Sequence, residues 1–134
     1  MKHTMASFLL LCCMTSAGPT SDDEAAIRSL EDKFVAAFNA GDIDAIMKNY
    51  VPDTSLVIFS HFKGTPKIVI SDLGITVDGH IGFSHSIQHV TGTDMQGRSV
   101  DRTVRVTDGY RKFGDNWLIV LEHVSVPVDL TTGH

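Results

Sequence analysis

"RVTDGYRKFGDNWLIVLEHVSVPVD" (Arg105 to Asp129) is the stretch on which the fold turns. It reads as two strands joined by a tight turn within "FGDN", because apolar and polar residues alternate on both sides of it. In the first strand Val104, Val106, Asp108 and Tyr110 share one face, and Arg105, Thr107 and Arg111 share the other. A face with two arginines is the solvated one, so Asp108 is turned toward the core. In the second strand Glu122 and His123 are adjacent, and only one of them can point inward. A two-residue turn at Asp115-Asn116 pairs Gly114 with Trp117 and sets His123 opposite Asp108. A longer turn would set Glu122 against Asp108, placing two carboxylates in an apolar setting at a desolvation cost. The sequence therefore predicts His123 inward against Asp108, and Glu122 outward beside the arginines.

Upstream, "KIVISDLGITV" (Lys67 to Val77) runs into Asp78-Gly79, a hairpin signal, and "HIGFSHSIQHVTG" (His80 to Gly92) runs back. "TDMQG" turns the chain into "RSVDRTVRVTDGYRK". A short apolar strand is expected at "TSLVIF" (Thr54 to Phe59). Ahead of it, Ser21 and Glu24 form a capping-box pattern, and Ile27, Leu30, Phe34 and Phe38 recur at helical spacing. Gly41 stops that helix, and Asp42 caps a shorter one carrying Ile43, Ile46, Met47 and Tyr50. Two helices followed by an antiparallel meander make an α+β protein, with the helices packed on one face of the sheet.

The whole chain fits this. Its 134 residues, 43% hydrophobic and 20% charged, suit one globular domain. "MKHTMASFLLLCCMTSA" (Met1 to Ala17) has the basic, apolar, small-residue order of a secretory signal peptide. Its cleavage would leave a domain over residues 18–134 that is secreted or periplasmic, without membrane attachment. That domain would carry 10 basic against 16 acidic residues, a net charge of −6, and no cysteine. An acidic domain without basic clusters excludes nucleic acid as a partner.

"FVAAFNAGDIDAIMKNY" (Phe34 to Tyr50) and the closing hairpin together resemble the SnoaL-like branch of the nuclear-transport-factor-like superfamily, which also contains ketosteroid isomerases. The resemblance covers Asp23 to Thr132. It implies a cone-shaped, curved antiparallel sheet wrapped around the helices, also described as a cystatin-like roll, with a pocket at the wide end. It does not settle function, because such folds serve as enzymes, ligand binders and interaction modules. In the isomerases an acidic base works with a tyrosine and a protonated aspartic acid. Asp108 falls at the position of that aspartic acid, Phe34 replaces the tyrosine, and "VIFS" (Val57 to Ser60) offers no carboxylate base. A second departure is "SHFKGTPK" (Ser60 to Lys67), where similar proteins carry a further helix.

The expected function is binding of a small, partly apolar molecule, with a pocket lined by Phe34, Phe59, Phe83, His85, Val106, Tyr110 and Leu121. The alternatives are an isomerase-like or hydrolase-like enzyme, with His123 and Asp108 as the candidate catalytic pair for proton transfer, and a dimeric interaction module in which that buried pair is purely structural. His85 and His89 are about 13 Å apart along one strand, too far to share a zinc ion, and neither a metal nor a cofactor is expected. Leu118, Val120, Val124 and Val126 are read as an outward apolar row covered by a second copy in a homodimer.

Overall fold

The computed structural model describes residues 21–52, 58–128 and 130–132, and the side chains of Ser21, Ile58 and Phe59 lie outside what it describes. The expected signal segment and most of the strand expected at Thr54–Phe59 fall outside the described residues. Where that stretch is described, it is a 3-10 turn (Ile58–His61) and not a strand.

Helix α1 (Ser21–Ala40) lays Ile27, Leu30, Phe34, Ala37 and Phe38 on the sheet. It ends at Gly41, whose φ of +71° only glycine adopts without strain. The bonds from Gly41 N to Phe38 O and from Asp42 N to Ala37 O, both 3.0 Å, close its last turn. Asp42 then accepts from Ala45 N at 3.0 Å and starts α2 (Ile43–Met47).

Four antiparallel strands follow in sequential order: β1 (Lys67–Asp78), β2 (Ile81–Thr93), β3 (Ser99–Phe113) and β4 (Asn116–Ser125). Three local devices join helices to sheet. The Asn39 amide exchanges two bonds with the backbone of Ile68, at 3.0 and 2.8 Å. Asp23 accepts from Lys112 Nζ at 2.5 Å and Trp117 Nε1 at 3.1 Å. Asn49 and Val51 bracket Ile119 in a parallel bridge that carries Tyr50 against β4.

Two expectations about strand faces are corrected. In β2 the small residues face the helices: Gly82, Ser84, Ser86 and Gln88 are buried, whereas Phe83 is 51% exposed and His85 is exposed. The reason is space. A Cβ on Gly82 would stand 2.8 Å from Ile27 Cδ1, so α1 can lie on the sheet only where the strand offers no side chain. In β4 the turn is Gly114-Asp115, and Val120 is an extra residue: Tyr110 pairs with Ile119, but Gly109 pairs with Leu121. This β-bulge reverses the faces beyond it. Asp108 is opposite Glu122, and His123 is opposite Thr107. Val124 and Val126 line the inner pocket and are not part of an outward row.

Candidate functional site

The turn and the bulge together set Glu122, and not His123, opposite Asp108. Glu122 faces inward and accepts the Tyr50 hydroxyl at 2.6 Å. Asp108, 3% exposed, sits one strand away. Glu31, 2% exposed, approaches from α1 and accepts the Tyr110 hydroxyl at 2.5 Å. Ser84 Oγ lies 2.8 Å from the Tyr110 oxygen.

Counting protons along this chain shows what Asp108 lacks. Tyr110 gives its proton to Glu31, so the one hydroxyl proton of Ser84 must serve both the Tyr110 oxygen and Asp108. Asp108 Oδ1 is buried and has no hydrogen-bond partner. Burial, and then the charges of Glu31 and Glu122, push the Asp108 carboxyl up to about 8, with only Ser84 pulling it down. A protonated Asp108 could donate to the Ser84 oxygen, which the proton count leaves free to accept. Glu31 is also raised, chiefly by burial, against the bond from Tyr110. Both tyrosines are raised by burial and by their carboxylate neighbours, so they act as donors and not as phenolates.

Glu122 forms part of the wall of a pocket of about 400 Å³, a size that suits a small organic ligand. The walls include Phe34, Phe38, Phe62, Val104, Val106 and Val124. Asp94, Arg98 and Arg102 stand at the far end, where Arg98 Nε is bound by Asp94 Oδ2 at 2.6 Å. The short segment after the 3-10 turn supplies one wall. Phe62 bridges to Asp94 and lies over Gly92, where a Cβ would be 2.8 Å from its ring.

The expected site residues therefore divide. Asp108, Phe34, Val106 and Tyr110 are on the inner side, with Phe34 and Val106 on the pocket wall. Phe83, His85, Leu121 and His123 are exposed on the outer face, with Leu121 at 63%. The Phe59 side chain lies outside the described residues. His123 does not meet Asp108. Among the described residues, no group of three or more His, Cys, Asp or Glu side chains could hold a metal ion.

Glu31 and Glu122 were missed by sequence reasoning. Glu31 stands four residues after Ile27 and three before Phe34, inside the apolar stripe, and that spacing marks it as inward-facing. Gly109, an isolated glycine in a strand, was the signal for the bulge that turns Glu122 in.

An NTF2-like protein of unknown function from Pseudomonas putida shares this fold, with a TM-score of 0.71 at 21% identity, over 87% of this chain and 95% of that one. An NTF2-like superfamily protein from Salmonella enterica serovar Typhimurium matches with a TM-score of 0.72 at 16% identity, over 84% of this chain and 96% of that one. A protein with a cystatin-like fold from Nostoc punctiforme matches with a TM-score of 0.67 at 16% identity, over 82% and 95%. No curated protein sequence matches the chain. The model of the SnoaL-like domain matches residues 57–129, more than half of the sequence, and the chain belongs to the SnoaL-like domain family.

Proposed function

We propose that the protein binds a small, partly apolar molecule in the pocket between α1 and the inner face of the sheet, with the polar end of the ligand at Glu122 and Asp108. The supporting observation is a cavity of about 400 Å³ whose apolar wall carries Glu122, with Asp108, one oxygen of which has no partner, behind it on the neighbouring strand. Val124 lines that cavity and is 47% exposed, so Val124→Trp fills it without disturbing the core. A neutral fluorescent probe such as N-phenylnaphthylamine should bind the wild type and lose binding to Val124→Trp. Equal binding to both would sink the reading.

Proton transfer on the bound molecule is a second reading, favoured by the pairing of Asp108 with Glu122. Asp108, its carboxyl raised to about 8, would hold a proton at neutral pH, and Glu122 is the adjacent acceptor. His123 has no part in this version, because it faces outward opposite Thr107. Loss of hydrogen–deuterium exchange at the α-carbon of a bound ketone in Asp108→Asn would support it, and unchanged exchange would exclude it.

For the outer face we propose a second copy of the chain as the occupant. Val69, Ile81, Phe83 and Leu121 are each more than half exposed, and Phe83 and Leu121 flank Gly109 in one cross-strand row. Light scattering should give a dimer that Leu121→Glu dissociates. We also propose export, supported by the order of residue types over Met1 to Ala17. N-terminal sequencing of the native product should then begin near Gly18, and an intact Met1 would refute export.

A further inference from the structure

We propose that the ligand of this pocket carries a basic nitrogen: an ammonium on an apolar, partly aromatic body, seated with its charge at Glu122 in front of Asp108. This rests on the pocket-binding reading above and adds the chemical class of the ligand.

The groups around Asp108 come from every element packed there. Glu31 stands on α1, Tyr50 in the segment after α2, Ser84 on β2, Tyr110 on β3 and Glu122 on β4. Their partners for one another are hydroxyls, and among the described residues no lysine, arginine or histidine is hydrogen-bonded or ion-paired to Glu31, Asp108 or Glu122. Glu31 and Asp108 are buried and Glu122 is exposed on the pocket wall beside them, and buried carboxylates without a cation are costly unless protons or a positive charge nearby compensate them. Asp108 Oδ1 is buried without a hydrogen-bond partner, and it stands behind Glu122, which is the carboxylate on the pocket wall. Among the described residues these carboxylates do not converge as the ligands of a metal ion. An organic ammonium brings N–H donors for Glu122, and its charge stands in front of Asp108.

The walls agree with that choice. Phe34 lines the pocket and is in edge contact with Tyr50, the partner of Glu122, and an aromatic ring near a carboxylate favours a cation over a neutral or anionic group. Arg102 does not reverse the preference. It lies six residues from Asp108 on the same strand, about 20 Å away, beyond the roughly 8–10 Å over which exposed charges are felt in physiological salt. Arg98 is neutralised by Asp94.

An ammonium arriving at Glu122 also favours the charged form of Asp108, so binding near neutral pH is coupled to release of a proton. Amine affinity should therefore rise between pH 6 and 8 and level off above it.

Three probes sharing a naphthalene body test the class: naphthylmethylammonium, naphthylmethanol and naphthoate, each titrated into the full chain by calorimetry at pH 7. The ammonium should bind about tenfold or more tighter than the alcohol, and naphthoate weakest. Glu122→Gln should erase the preference while leaving the binding of the alcohol, which shows that the fold is intact. Asp108→Asn should abolish proton release, measured by comparing buffers of different ionisation enthalpy. Equal affinity for all three probes, or preference for naphthoate, overturns the inference and leaves the pocket-binding reading standing. If none binds, the pocket-binding reading fails and the inference with it.

Discussion

Asp23 and Asp108 both turn toward the core, and their surroundings differ. Asp23, at the start of α1, receives Lys112 Nζ and Trp117 Nε1 and ties the helix to β3 and β4. Asp108, in the middle of β3, meets two other carboxylates and leaves one oxygen without any donor. The first is a satisfied, partly buried charge whose role is structural. The second is a carboxyl that the fold holds in an unfavourable setting, as binding and catalytic sites do.

Substitution should separate them most sharply by sign. Asp23→Ala leaves a largely buried Lys112 and the Trp117 N–H without their acceptor, and should cost about 3 kcal/mol in urea unfolding. Asp108→Asn should do the opposite above neutral pH. The amide keeps a donor where the protonated acid had one and removes the charge.

The pH dependence sharpens the same contrast. The Asp108 carboxyl is raised from 3.8 to about 8, so the folded state holds a proton that the unfolded chain releases. Its contribution to stability is intact below about pH 4 and declines as pH rises, until the folded group also ionises near 8. Wild-type stability should fall by roughly 2 kcal/mol or more between pH 5 and pH 9, with Glu31 adding to the decline because it too is raised. Asp108→Asn should flatten the curve. An unchanged slope would mean that Asp108 is ionised in the folded protein.

Both aspartate sites depend on α1 lying close to β2. Gly82→Ala would push a methyl group into Ile27, and should cost about 1–2 kcal/mol while weakening probe binding two turns further along the helix, at Phe34. The smallest effect is expected from deleting Val120. Leu121 would take its outward slot and Glu122 would keep its inward one, so stability should change by less than about 1 kcal/mol and the preference for the ammonium probe should persist. If the deletion abolished that preference, the bulge itself would be needed to aim Glu122.

How far the sequence could be read depends on which signals compete. The helices, their glycine stop and the meander were legible because spacing, caps and turns agree at Gly41, Asp42 and the hairpins. The faces of β2 were not, since Phe83 and Ile81 are large and apolar yet lie outside, and residue size was taken as the guide to burial. Asp108 was read correctly as inward from the arginines on the opposite face. Its partner was not, because avoiding two carboxylates is sound for stability, and here the fold bears that cost.

The clasp at Asn39 has a consequence for how such sheets meet one another. Its side-chain amide engages both backbone groups of Ile68, as a neighbouring strand would, and so closes the outer edge of β1 there. Further along that edge, Asp72 adopts a φ of +51° and the ladder skips between Ser71 and Gly74, so the edge is no longer straight. On the opposite edge, Asn49 and Val51 occupy the backbone of Ile119, and the irregularity at Val120 follows directly. Each rim of the sheet is thus blunted by one side chain or crossing segment and one kink, the arrangement that hinders strand-by-strand extension into fibrils. Growth by strand addition would first have to detach Asn39 or the Asn49–Val51 segment.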